Sequence, residues 1–123
     1  MSEAHMRAYY AAYNALDVDG LSQLLAPDVE LVSAMGSQHG RDAYLATYRH
    51  MTDLFTDIMT PEAIAVDGDT TTVTIHDSLT AKADIEDFMG VSLKAGEELV
   101  LRLRGEYIVA GGQIARITIT PLG

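Results

Sequence analysis

The hydrophobic periodicity of this chain divides it in two. Up to about residue 58 apolar residues recur at three- and four-residue steps, interrupted by an alternating stretch at 29–35, and beyond that point they alternate. Met6, Tyr9, Tyr10, Tyr13 and Leu16 form one helical stripe, and Leu21, Leu24 and Leu25 begin another. The spacing predicts helices over about 3–17 and 19–26, broken at Asp19-Gly20 and ended by Pro27-Asp28. Residues 29–35 suit a short strand and 36–40 a loop. A third helix is predicted over 41–58, with Tyr44, Leu45, Tyr48, Met51, Leu54, Phe55 and Ile58 on or near one stripe and Thr60-Pro61 closing it.

Strands and turns fill the rest. A short strand at 62–66 leads through Asp67-Gly68-Asp69, a hairpin signal, to a Thr-, Val- and Ile-rich strand at 70–83. A loop at 84–88 and a short apolar piece at 89–96 follow, then strands at 98–109 and 113–120 around Gly111-Gly112. Helices first and a strand meander afterwards mean α+β: three N-terminal helices packed on a curved antiparallel sheet, as one domain over 1–123.

Composition removes several functions. The 18 acidic residues outnumber the 8 Lys and Arg, giving a net charge of -10, so nucleic acid and anionic membrane are poor partners. With no cysteine, disulfides, thiolate catalysis and zinc-thiolate sites are excluded. The four histidines lack HxH, HxxxH or HExxH spacing, and no glycine-rich phosphate loop occurs, so neither a metal nor a cofactor is expected. No apolar run reaches membrane length and the N-terminus does not read as a signal peptide, so a cytoplasmic protein is expected.

Four stretches together carry a resemblance. They are Asn14-Ala15-Leu16-Asp17-Val18-Asp19-Gly20-Leu21 after a Tyr-rich helix, Leu25-Ala26-Pro27-Asp28-Val29-Glu30-Leu31, Gly40-Arg41-Asp42-Ala43-Tyr44, and the terminal segment from Glu106 to Ile114. In this order and spacing the chain resembles the nuclear transport factor 2-like superfamily, in its SnoaL-like branch, alongside ketosteroid isomerases and polyketide cyclases. The resemblance implies a cone with an apolar pocket between helices and sheet, and a homodimer formed through the outer sheet face. Its pocket wall would draw on Ser33, Met35, Met51 and Phe55 from the first half, and on Leu103, Tyr107 and Ile117 from the late strands.

Strand parity identifies the polar groups that reach inward. In the strand at 98–109, Leu99, Leu101, Leu103, Gly105, Tyr107 and Val109 share a face, while Arg102, Arg104, Glu106 and Ile108 take the other. In the last strand Ala115, Ile117 and Ile119 go in, and Arg116 goes out to join a polar outer face. In the strand at 70–83, Val73, Ile75, Asp77, Leu79 and Ala81 share the inward face. Asp77 is thus a carboxylate in an apolar row, where burial raises its pKa towards the range a general acid or base uses. A β-bulge at His76-Asp77 would instead turn His76 inward and Asp77 out. Tyr9 and Tyr13, four apart on the first helix, can both direct a phenol at a developing oxyanion or simply pack in the core. Laid on ketosteroid isomerase, Tyr9 matches the oxyanion-hole tyrosine.

Departures from the enzymes are equally informative. Ser33 stands where ketosteroid isomerase has its catalytic aspartate, and Gly105 where it has its second acid. The aspartate–arginine–aspartate set of limonene-type epoxide hydrolases is missing from the inward late-strand positions. The resulting expectation is a cofactor-independent proton-transfer enzyme, an isomerase, cyclase or dehydratase, acting on a small apolar polyketide-, terpenoid- or steroid-like molecule. Its catalytic residues would be Asp77, Tyr9 and Tyr13. A non-catalytic small-molecule-binding or accessory domain is the competing expectation.

Overall fold

The computed structural model describes residues 3–34, 36–88 and 90–122. In chain order the elements are α1 (Glu3–Asn14), α2 (Val18–Leu24), β1 (Leu25–Ser33), β2 (Gly36–His39), α3 (Arg41–Leu54), β3 (Phe55–Asp67), β4 (Thr70–Ala81), β5 (Ile85–Phe88), β6 (Val91–Leu93), β7 (Glu98–Ala110) and β8 (Gln113–Pro121). Six strands form the main sheet in the order β2-β1-β8-β7-β4-β3, and β5 and β6 form a separate hairpin. All neighbours in the main sheet run antiparallel except β1 and β8, which are parallel and joined by the long connection from β2 to β7. The helices cover one face, which makes this the expected α+β architecture.

Several boundaries differ from expectation, each for a local reason. The break between the first two helices falls at residues 15–17, where Leu16 adopts a positive φ of 58°. Asp17 caps α2 by accepting from the Gly20 amide at 3.0 Å, so Gly20 belongs to the helix it was expected to interrupt. That carboxylate sits where a Cβ on residue 20 would fall, which is why glycine stands there. Residues 36–39 and 85–88, read as loops, pair as strands.

The largest difference is at α3, which stops at Leu54, four residues early, and passes directly into a 13-residue strand. Pro61 lies inside that strand instead of ending a helix. It is tolerated because β3 is the sheet edge and the β3–β4 register shifts between Pro61 and Ala63. In β8 a shift opposite Ile108–Val109 brings Ile114 into the core in place of Ala115, while Ile117 keeps its inward position.

Two apolar clusters hold the helices to the sheet. The larger joins Met6, Tyr9, Tyr10 and Tyr13 of α1 and Tyr44, Leu45 and Tyr48 of α3 to Val73, Ile75, Leu103, Tyr107 and Ile117 of the strands. A smaller one gathers Phe55, Leu79, Ala81 and Leu93 beneath the β5–β6 hairpin. Asn14 fixes the end of α1 to the edge strand, donating to the Met59 carbonyl and accepting from the Met59 amide, both at 2.8 Å.

Candidate active site

β4 alternates buried and half-buried residues without interruption from Thr71 to Ala81. No bulge interrupts His76-Asp77, so Asp77 points inward with only 4% of its surface exposed and His76 takes the other face. The register of β3 places Asp57 opposite Leu79 and Met59 opposite Asp77. Asp57 and Asp77 are therefore diagonal neighbours on one face of adjacent strands, and Asp57 is also 4% exposed.

Two buried carboxyls at such range cannot both ionise cheaply. Burial above all, then a hydrogen bond to Asp57 and its negative charge, raises Asp77 from the ordinary 3.8 to about 9. With both groups ionised, the buried Oδ1 atom of each lacks a donor. A proton held on Asp77 between the two supplies it. Asp57 accepts that proton and also the Tyr13 hydroxyl, which donates to its Oδ2 at 2.7 Å.

Phenols surround the pair. Tyr9 and Tyr44 share a hydrogen bond between their hydroxyls, and those of Tyr10 and Tyr107 meet at 2.7 Å. In each such couple one hydroxyl proton is used and the other remains available. Tyr48 packs edge-on against the Tyr13 ring, with centroids 4.7 Å apart, and donates to the Tyr13 carbonyl at 2.5 Å. Burial pushes the phenols of Tyr9, Tyr13, Tyr44 and Tyr107 well above their ordinary range, so all four remain neutral donors.

All of these groups except Tyr10 line a cavity of about 710 Å³ between the helices and the sheet. Its wall includes the expected Tyr9, Tyr13, Ser33, Met51, Asp77, Leu103, Tyr107 and Ile117. Phe55 is a correction. It begins β3 opposite Ala81, not the last turn of a helix, and packs into the smaller cluster behind the wall residue Phe88, their ring centroids 4.9 Å apart, without lining the cavity itself. Met35 lies outside the described residues. Gly105 sits beneath the Tyr107 ring: a Cβ there would fall 2.7 Å from Tyr107 Cε1, so no acid fits without displacing that buried ring. Among the described residues no three His, Cys, Asp or Glu side chains are grouped to hold a metal ion.

The sequence reading missed Asp57 and Tyr44. Asp57 was assigned to a helix, although Phe55, Asp57 and Met59 alternate with Thr56, Ile58 and Thr60 at the period of a strand. Tyr44 was read only as part of an apolar stripe, and nothing local in the sequence places its hydroxyl against Tyr9.

With this geometry established, comparison with known proteins gives a consistent result. The family model described as the SnoaL-like domain matches residues 6–117. A candidate polyketide cyclase from Sinorhizobium meliloti superposes with a TM-score of 0.76 at 23% identity, covering 97% of this chain and 95% of that one. A Catenulispora acidiphila protein with a ketosteroid isomerase-like fold, solved with trimethylamine, reaches 0.80 at 15% identity over 98% and 86% of the two chains. An epoxide hydrolase of the limonene type from M. tuberculosis reaches 0.78 at 15% identity over 97% and 80%. No functionally curated protein matches the sequence significantly. No helix among the described residues is long and apolar enough to cross a membrane.

Proposed function

We propose that this chain, which belongs to the SnoaL-like domain family, is a cofactor-independent proton-transfer enzyme acting on a small, largely apolar molecule of polyketide, terpenoid or steroid type. The observation that carries this reading is the Asp57–Asp77 pair, two buried carboxyls on adjacent strands at the wall of an apolar cavity. Environments that push two carboxyls apart separate an acid from a base. In the reaction so read, Asp57 takes a proton from carbon beside a carbonyl while Asp77 gives its proton to the carbonyl oxygen, forming an enol. Return of the proton at a second carbon completes an isomerisation, and loss of a β-hydroxyl as water completes a dehydration. Tyr13 holds Asp57 in place, and the spare hydroxyl proton of the Tyr9–Tyr44 couple polarises the substrate oxygen. Neighbours described as cyclase and epoxide hydrolase support catalysis on this fold without selecting the reaction.

The test is exchange of α-hydrogens for deuterium in a panel of cyclic ketones dissolved in deuterium oxide, followed by mass spectrometry. Catalysed exchange that depends on Asp77 is the expected result, and exchange at the buffer rate across the panel contradicts the reading. One observation favours the second reading, a non-catalytic binding domain: the Tyr9, Tyr44, Tyr10 and Tyr107 hydroxyls are bonded to one another in couples. Ligand binding without exchange would select it.

The same reading includes a homodimer built on the outer sheet face, in a cytoplasmic setting. Ile58 of β3 and Val100 of β7, 39% and 44% exposed, flank Ser78 of β4 on either side. Ion pairs Arg102–Glu62 and Arg104–Glu106 lie on these strands. Sedimentation velocity at micromolar concentration is expected to show a dimer, and a monomer contradicts it.

A further inference from the structure

A buried charge is stable only beside a partner, and the Asp57–Asp77 pair has no cationic one. Among the described residues every ion pair lies elsewhere, and Arg102 is the sole cationic residue on the cavity wall. Its side chain is 59% exposed and its guanidinium is engaged by Glu62 at 2.7 Å. Both aspartates are 96% buried, both line the cavity, and their enclosed Oδ1 atoms meet no donor from any other side chain. Around them stand the rings of Tyr9, Tyr13, Tyr48 and Tyr107, whose faces attract cations. Leu31, Met51, Leu101 and Ile119 supply an apolar wall beyond the rings.

We infer that the cavity binds a small apolar molecule bearing one protonated amine, seated with its ammonium on the Asp57–Asp77 pair as the missing counter-ion. Tyr13 already occupies Asp57 Oδ2 and both Oδ1 atoms are enclosed, so the ammonium approaches the pair from the Asp77 Oδ2 side, and the hydrocarbon body lies against the apolar wall. The chain's net charge of -10 raises the local concentration of such a cation. This inference concerns the cavity described above but rests on the absent counter-ion, not on proton transfer.

The experiment is isothermal calorimetry at pH 7 with 1-aminoadamantane and 1-adamantanol, which share one rigid cage and differ in charge. The amine is expected to bind the native protein about tenfold or more tightly than the alcohol, the scale of a hydrogen-bonded charge contact. In the double variant Asp57→Asn/Asp77→Asn the alcohol should bind within about threefold of native and the amine should lose its advantage. Equal or tighter binding of the alcohol to the native protein, no binding of either ligand, or an advantage that survives in the double variant would overturn the inference. If the double variant fails to fold, the aspartate carboxyl carbon resonances of the native protein decide. The amine, unlike the alcohol, should displace the Asp57 and Asp77 signals, and unmoved signals overturn the proposal. An amine preference without α-hydrogen exchange removes only the enzyme reading, whereas exchange without that preference removes only this one.

Discussion

Replacing Asp77 by asparagine is expected to lower the rate of catalysed α-hydrogen exchange by about 10²-fold or more while leaving the fold intact, the usual scale for losing a general acid or base. The substitution is close to isosteric, and the asparagine amide can donate to Asp57 as the protonated carboxyl does. Packing against Leu101 and Met59, its strand neighbours, is unchanged. What disappears is the transferable proton. A drop of this size in kcat with little change in KM, alongside a native circular dichroism spectrum, assigns the loss to the reacting groups. Unchanged exchange in the variant removes Asp77 from the mechanism.

The same carboxyl governs how stability responds to pH. In the unfolded chain Asp77 titrates near the ordinary 3.8, and in the folded protein near 9. Between these values the folded state holds a proton that the unfolded chain has released. Stability from this group is thus complete below about pH 4, falls as pH rises, and is lost by about pH 9. The slope in mid-window is about 1.4 kcal/mol per pH unit for one proton. Urea unfolding from pH 5 to 8 should show the native protein losing stability steadily relative to Asp77→Asn, for which this contribution is absent. Parallel pH profiles for the two proteins would mean that Asp77 does not hold its proton in the folded state.

Much of this site could be read from strand parity. The alternation of Val73, Ile75, Asp77 and Leu79 offers Asp77 as the inward carboxylate, because a sheet covered by helices forces one parity of β4 into the core. The choice between Asp77 and His76 needed the structure, since a single bulge would exchange them and bulges leave no dependable mark in sequence. Asp57 escaped for a different reason. Met51, Leu54, Phe55 and Ile58 continue a helical stripe past the point where α3 ends, so a period of 3.6 and a period of 2 fit the same few residues. Pro61 strengthened the error by looking like a helix stop, when an edge strand with a register shift accommodates it. The tyrosine couples were illegible altogether. Tyr9 and Tyr44 are 35 residues apart, and Tyr10 and Tyr107 are 97 apart, so their contacts belong to tertiary packing alone.

The account turns on a proton held between two buried carboxyls, and carboxyl carbon NMR of aspartate-labelled protein observes it directly. Titrated from pH 4 to 11, the native protein should show one aspartate resonance moving near pH 9, and that resonance should be missing from Asp77→Asn. A spectrum in which every aspartate has finished titrating by about pH 6 would contradict the shared proton, and with it the acid on which the proposed function depends.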